Sequence, residues 1–404
     1  MSGRETYMRI VHKIKWKSLI LYLSTIAVSV LLLFIGNRLA TKNLLIFNSK
    51  LDGLIIEKAR VTELTGEEYE EYENGSGSMV KNVQIFFNAV ILKGEDKGKT
   101  VSGIQAVQRI DDVTNPLSPE IAPGDKLLIR FIEGQTSEKW QFMQFVRTDK
   151  LLILGLLFIL ALLIFGRIKG FNTIISLAFT CTAIFLVFIP SILNGINIYL
   201  TSILICIYTT VMTFLIINGG NKKTLAATLG CFSGVAIAGV LTFIMDYVLK
   251  ITGFIDEASL ELTYLATVSP INLRAIIFAA ILLGSLGAIM DVAMSIASAL
   301  WELKEASGSS FKELFKSGIN IGKDIMGTMV NTLILAYIGS SLSTVLILNT
   351  TSFSLSYLLN REVIIVEILQ ALVGSFGLLA TLPLASLISA VLYTRKHFNK
   401  RHKI

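Results

Sequence analysis

The sequence is poor in the residues from which most metal and redox sites are built. It holds three cysteines and three histidines in 404 residues. Cys181, Cys206 and Cys231 all lie inside apolar runs and form neither a CxxC pair nor a disulfide framework. His12, His397 and His402 sit at the two ends of the chain, so their spacing excludes a histidine metal cluster. Neither a metal nor a cofactor is expected. Charge is scarce too: 16% of residues are Asp, Glu, Lys or Arg, against about 25% in a soluble globular protein. That balance points away from a cytosolic enzyme.

Catalytic motifs are equally thin. There is no HExxH, and the terminal histidines leave no convincing Ser–His pair. Met290-Asp291 and Met245-Asp246 fit neither the Tyr-Asp nor the Gly-x-Gly-Asp context of intramembrane aspartyl proteases. Gly94-x-x-x-Gly98-Lys99-Thr100 is one residue short of a phosphate loop and leads into a strand, so it is read as a hairpin turn. No catalytic residue is assigned, and the chain is expected not to be an enzyme.

The formal net charge of +7 invites a nucleic-acid reading, so its location matters. Residues 37–149 hold 14 Lys/Arg and 17 Asp/Glu, leaving 22 and 12 for the remainder. The excess sits in short segments flanking apolar runs, which is a topology signal and not a phosphate-binding face. No nucleic-acid partner is expected; the partner is the lipid bilayer.

What the chain has in abundance is apolar length: 53% of residues are hydrophobic. A helix crossing a hydrocarbon core of about 30 Å needs roughly 20 mostly apolar residues. Eight such runs are read, near 18–36, 151–166, 172–190, 197–217, 224–248, 274–301, 325–348 and 363–393. The first is longer than a secretory signal core, and Asn37-Arg38-Leu39-Ala40 makes a poor cleavage site, which favours an uncleaved signal anchor. With the N-terminus inside, the inner segments carry eighteen Lys/Arg and the short outer ones only Lys250, Arg274 and Arg361. Both ends are therefore expected in the cytoplasm and residues 37–149 outside it.

Residues 37–149 change character. Runs rich in Val, Ile and Phe at about 53–64, 79–93, 100–109, 126–133 and 139–147 are separated by turn material: Asn74-Gly75-Ser76-Gly77, Gly94-Glu95-Asp96-Lys97-Gly98, and Pro116 through Gly124. Five short strands suggest a small barrel of OB or SH3-like type. The acidic run Glu67-Glu68-Tyr69-Glu70-Glu71-Tyr72-Glu73 is read as a solvated loop. The expected fold is thus an all-α polytopic membrane bundle of about eight transmembrane helices, with an extracytoplasmic β-barrel-like domain inserted between helices 1 and 2. Its parts are a basic N-terminus (1–17), a signal-anchor helix (18–36), the β-rich domain (37–149), a seven-helix membrane domain (150–394) and a basic tail (395–404).

Polar residues inside apolar runs are the candidate site, because a bilayer rejects a carboxylate unless something satisfies it. At 100° per residue, Gly284, Gly287, Ala288, Asp291, Ser295, Ser298 and Glu302 share one face of the sixth run. Asp324, Gly327, Thr328 and Asn331 share a face near the start of the seventh. Glu367, Gln370, Gly374, Gly377 and Thr381 line one side of the eighth, ahead of a bend expected at Pro383. Small-residue stripes most often mark tight helix contact, so Gly284, Gly287, Gly327, Gly374 and Gly377 are expected to be packing positions. The polar members, Asp291, Ser295, Ser298, Asp324, Thr328, Asn331, Glu367 and Gln370, are the candidate intramembrane transport residues. Together the three stripes are expected to outline a polar route, with Asn331 a partner for Asp291. A carboxyl group in apolar surroundings favours its neutral form and can carry a proton. Between the sixth and seventh runs, Ser310-Phe311-Lys312-Glu313 fits a capping box opening a short helix on the inner leaflet, with Gly318 and Gly322 as an elbow into the next span.

Gly284-Ser-Leu-Gly-Ala-Ile-Met-Asp291-Val-Ala-Met-Ser-Ile-Ala-Ser298 and Asn320-Ile-Gly-Lys-Asp324-Ile-Met-Gly-Thr-Met-Val-Asn331-Thr-Leu-Ile-Leu-Ala-Tyr337-Ile-Gly339 resemble the YibE/F-like family of bacterial multi-pass membrane proteins. The resemblance runs from about residue 150 to the C-terminus. A domain outside the membrane after the first span resembles the YibE type. The resemblance implies a bacterial plasma membrane of Gram-positive type, and a YibF-like companion subunit or self-association. It names no substrate. Two readings stay open at this point: a permease or permease subunit coupled through Asp291, and a non-transporting scaffold or envelope sensor that works through its outer domain.

Overall fold

The computed structural model describes residues 2–42, 54–73, 79–94, 96–110, 119–132, 140–255, 257–264, 270–350 and 354–395. The Asn74–Gly77 turn, residues 116–118 of the Pro116–Gly124 turn, and the tail from residue 396 lie outside the described residues. In chain order the elements are α1 (Ser2–Ala40), β1 (Leu54–Glu73), β2 (Met79–Ile91), β3 (Thr100–Ile110), β4 (Lys126–Ile132), β5 (Trp140–Phe145) and α2 (Thr148–Thr182). A π-helical turn (Ala183–Phe188) follows, then α3 (Ile189–Leu193), α4 (Ile198–Asn218), α5 (Lys222–Leu249), α6 (Glu257–Tyr264) and α7 (Leu273–Ser307). The chain ends with α8 (Phe311–Ser340), α9 (Leu342–Thr350), α10 (Leu355–Leu359) and α11 (Glu362–Thr394). The chain forms two units: residues 1–44 with 162–404, and residues 45–161.

The smaller unit is a closed barrel of strand order β1-β2-β3-β5-β4. β3 and β5 run parallel, and β1 pairs antiparallel with both β2 and β4. That connectivity is the OB alternative of the two expected. Alternate residues of β2, Val83, Ile85, Phe87, Ala89 and Ile91, point inward, and all but Ile91 share a core with Val61, Val107, Leu127 and Ile129. Gly103 sits where the Phe87 ring fills the space of a side chain. The buried amide of Gln105 anchors the approach to β4. Its Nε2 donates to the Pro119 carbonyl and its Oε1 accepts from the Ile121 amide, both at 2.9 Å.

One expectation about this unit is overturned. Residues 67–73 are not a loop but the second half of β1, paired with β2 from Glu67↔Ile85 to Glu73↔Met79. Cross-strand cations make this possible. Lys81 reaches Glu71 at 3.2 Å, and Arg109 reaches Glu67 at 3.0 Å and Glu120 at 2.6 Å. Gly94 and Gly98, between β2 and β3, have positive φ. The Glu57 carboxylate occupies the place where a Gly94 side chain would stand.

In the larger unit α11 packs against α5, α7 and α8, while α4 rests on α7 and α5. The main core is built from Ile281, Leu282, Ile289, Val292, Ile296 and Leu300 of α7, with Leu378 and Leu382 of α11 and Leu314 of α8. A second cluster joins the π-helical turn to α4 and the start of α7 through Ala183, Phe188, Ile205, Ala275 and Ala279. Asn197, Asn221 and Asn272 begin α4, α5 and α7 by accepting from Leu200, Thr224 and Ala275 amides. Gly308 ends α7 in the left-handed conformation.

Among the described residues six stretches are long and apolar enough to cross a membrane: Leu19–Ala40, Thr148–Leu193, Ile198–Asn218, Lys222–Leu249, Leu273–Ser307 and Glu362–Thr394. The second and third apolar runs of the sequence fall within one of these. It is interrupted at Arg167, whose φ of 49° and ψ of −124° are not helical. Beyond the interruption the chain doubles back, so that the Leu162 carbonyl lies where a Gly170 side chain would be.

The expected elbow before the seventh run is a second correction. The Ser310–Glu313 capping box is present, but α8 continues unbroken from Phe311 to Ser340. Gly318 and Gly322 are buried contacts with α11. A β-carbon at Gly318 would stand 2.7 Å from the Ser386 β-carbon, and one at Gly322 3.2 Å from Leu382 Cδ2.

Candidate functional site

Hydroxyl groups in the helical unit largely satisfy themselves. Thr242, Ser285, Thr381 and Ser386 each donate to the carbonyl four residues back, at 2.7–2.8 Å. A carboxylate or a primary amide in mid-helix has no such recourse, which makes Asp291 and Asn331 the informative residues.

α7 has two opposite faces. Ile281, Leu282, Ser285, Ile289, Val292, Ala293, Ile296 and Leu300 are buried in the bundle. On the far side Ala280, Gly284, Gly287, Asp291, Ser295 and Glu302 are exposed, with Ala288 and Ser298 half-buried. From Gly287 to Ser295 the stripe expected to pack inward therefore lies on a face that the described residues leave uncovered, while at Gly284 the Tyr337 hydroxyl of α8 closes over it. The reason is one of volume: the large side chains of α7 occupy the opposite face and fill the core. Nothing stands within 4 Å of a β-carbon placed at Gly287.

α8 repeats the arrangement. Asp324, Gly327, Thr328 and Asn331 are all exposed, opposite buried Gly318, Gly322 and Leu333. Gly327 also faces open space, and Thr328 donates to its own helix at Ile325, 2.9 Å. Among the described residues neither Asp291 nor Asn331 forms a hydrogen bond or ion pair, and they do not pair with each other within the chain.

The stripe on α11 behaves differently. Gly374, Gly377 and Thr381 are buried, and Glu367 and Gln370 are half-buried. A β-carbon on Gly377 would lie 2.9 Å from the Ala238 methyl and 3.1 Å from Ile289 Cδ1, while one on Gly374 would lie 3.2 Å from Leu333 and Ser285. The three stripes thus do not enclose one route inside a single chain, because only that of α11 turns inward.

Several contacts were not evident from the sequence. Gly230, Gly234 and Ala238 of α5, spaced by four, form the seam that receives Ala385, Thr381 and Gly377. The Tyr337 hydroxyl is buried and has no hydrogen-bond partner among the described residues; it abuts Gly284, where a β-carbon would come 2.7 Å from it. The Glu362 carboxylate accepts from the Thr252 amide and hydroxyl at 2.8 Å and the Gly253 amide at 2.6 Å, tying the end of α5 to the start of α11.

The barrel has a polar cleft of about 850 Å³ on β1, β2 and β3. Glu68 and Glu70 stand opposite Gln84 and Asn82, which stand opposite Ala106 and Gln108. Near it, the Arg109 guanidinium holds the Glu120 carboxyl below the usual carboxylate range by hydrogen bonding to it. No group of three or more His, Cys, Asp or Glu suited to a metal occurs among the described residues.

A mostly helical chain with six long apolar helices among the described residues, and a small barrel, is that of a polytopic membrane protein. The profile of the YibE/F-like protein family matches residues 154–395, and the chain belongs to that family. No curated protein and no solved structure matches it.

Proposed function

We propose that this protein is a permease, or the membrane subunit of one, that moves a small solute or ion across a bacterial plasma membrane with Asp291 as its proton- or cation-coupling group. The observation that carries this reading is the environment of Asp291. It sits midway along a long apolar helix, with no partner among the described residues, on a face of Ala, Gly, Ser and acidic residues. A carboxyl at such depth is tolerated against protein or water, not against acyl chains. Ser295 and Ser298 continue the polar face toward the C-terminal end of α7.

The topology we propose has eight spans. A 46-residue stretch is too long for one crossing, and the reversal at Arg167 divides it into two. The second half of α8, with α9, supplies the seventh. An even number of crossings puts both termini on one side, and the Lys/Arg distribution makes that side cytoplasmic, with the barrel outside and the first helix an uncleaved anchor. Purified protein in liposomes tests the coupling role. A pH-dependent flux lost in Asp291→Asn supports it, and identical flux in both proteins removes it.

A second reading is favoured by the polar cleft of the barrel: a scaffold or envelope sensor that binds a ligand outside the membrane. Deleting residues 54–145 separates the two. Retained activity without the barrel counts against the sensor.

A further inference from the structure

We infer that the uncovered faces of α7 and α8 are the two halves of an interface with a second copy of this chain, and that Asp291 of each copy meets Asn331 of the other. The inference deepens the permease reading and rests on its assignment of these helices to the membrane.

Two observations carry it beyond the small-residue stripe. The first is what the face of α7 lacks. The other membrane helices present large apolar side chains where they are exposed: Leu200, Ile203 and Leu204 on α4, Val240 and Phe243 on α5, Leu372 and Phe376 on α11. No exposed position of α7 carries one, nor does any exposed position of α8 from Lys316 to Thr332; Leu335 and Ile338 of α8 do, beyond Asn331. A surface built for lipid looks like the first group; one built for close helix approach looks like α7.

The second is register. Gly284 abuts Tyr337, which fixes the level of α7 against α8. α7 and α8 are joined by the short link Gly308–Ser310. Running antiparallel, seven residues along α7 from Gly284 reach Asp291, and seven back along α8 from Tyr337 reach Val330, next to Asn331. By the same count Ser298 lies level with Lys323, next to Asp324. A two-fold axis along the membrane normal keeps every residue at its own depth, so the α7 face of one copy meets the α8 face of the other with acid against amide and hydroxyl against acid. Asn331 then donates to Asp291, a hydrogen bond the carboxylate lacks among the described residues of its own chain.

The test uses the full chain with its three cysteines replaced. One tagged copy carries Ser295→Cys and a differently tagged copy Thr328→Cys, co-expressed and cross-linked in native membranes. A pair in which the second copy carries Leu372→Cys serves as the lipid-facing control. Cross-linking between tags several-fold above the control, and lost when Gly287→Leu is added to both copies, is the expected result. Gly287 meets nothing among the described residues, so this variant should fold normally, and its melting temperature checks that it does. Cross-linking no greater than the control overturns the inference, as does cross-linking that survives Gly287→Leu in the folded variant. Absent cross-linking with Asp291-dependent flux would leave a monomeric permease with a watery groove. Cross-linking without flux would leave the interface and remove the permease.

Discussion

Gly377 of α11 lies so close to Ala238 of α5 that a β-carbon on the glycine would stand 2.9 Å from the alanine methyl. Gly234, one turn of α5 earlier, is closed off by the Thr381 hydroxyl and the Gly377 carbonyl. The two helices meet nearly backbone to backbone, and that contact sets how deeply α11 sits among α5, α7 and α8.

Gly377→Leu is therefore expected to destabilise the helical unit by about 1–3 kcal/mol, the usual range for overpacking. Gly287→Leu and Gly327→Leu, which face open space, are expected to leave the fold of the chain close to unchanged. Thermal unfolding of the purified proteins in detergent checks the contrast. Equal losses at all three positions would mean that α7 and α8 are packed differently from the arrangement described here.

In the barrel, Gln105→Ala is expected to cost about 1–3 kcal/mol, because it leaves the buried Ile121 amide without an acceptor. The loss should be local. Hydrogen exchange in the full-length protein should rise in the segment leading into β4, while β1–β2 pairing from Glu67 to Glu73 stays protected.

The five strands were legible because inward and outward residues alternate at period two, and the alternation survives in β2 from Val83 to Ile91. The second half of β1 was not, because five glutamates in seven residues look like a solvated loop until the cations on neighbouring strands are placed. The stripe on α7 was visible as a pattern, but its direction was not. Small residues mark both a buried seam and a face awaiting a partner, and the choice depends on where the bulky residues of the same helix find a core. Gly230, Gly234 and Ala238 carry no charge to distinguish them within an apolar run. Gly318 and Gly322 resemble a hinge in sequence because the serine and leucine that need their space lie about sixty residues away on α11.

The Arg109–Glu120 pair predicts a modest acid sensitivity of the barrel. Hydrogen bonding to Arg109 lowers the folded-state pKa of Glu120 from its ordinary 4.5. Its contribution is therefore present above that ordinary value and is lost as pH falls through the lower folded-state value. Arg109 stays charged throughout and adds no pH dependence of its own. Both side chains are about one-third exposed, so the contribution is on the order of 0.2–1 kcal/mol. Glu120→Gln is expected to reduce stability at neutral pH and to flatten the decline as pH falls below the ordinary carboxylate value. Chemical unfolding followed by hydrogen exchange in β3 measures both effects.

Asp291 separates a structural role from a functional one most sharply, because among the described residues it has no hydrogen-bond or ion-pair partner. If it served as glue inside the bundle, removing it would weaken the fold. Its position on the uncovered face of α7 predicts the opposite. Asp291→Leu is expected to leave thermal stability of the detergent-solubilised chain unchanged or slightly raised, and to ease insertion of α7, since an Asp at mid-helix costs about 2.5–3.5 kcal/mol on insertion scales. The same substitution is expected to abolish pH-dependent flux, and Asp291→Glu, which keeps a titrating carboxyl, should restore part of it. A large drop in stability for Asp291→Leu would place the carboxylate in an internal contact. Unchanged flux in the stable variant would leave Asp291 as a residue of the interface alone.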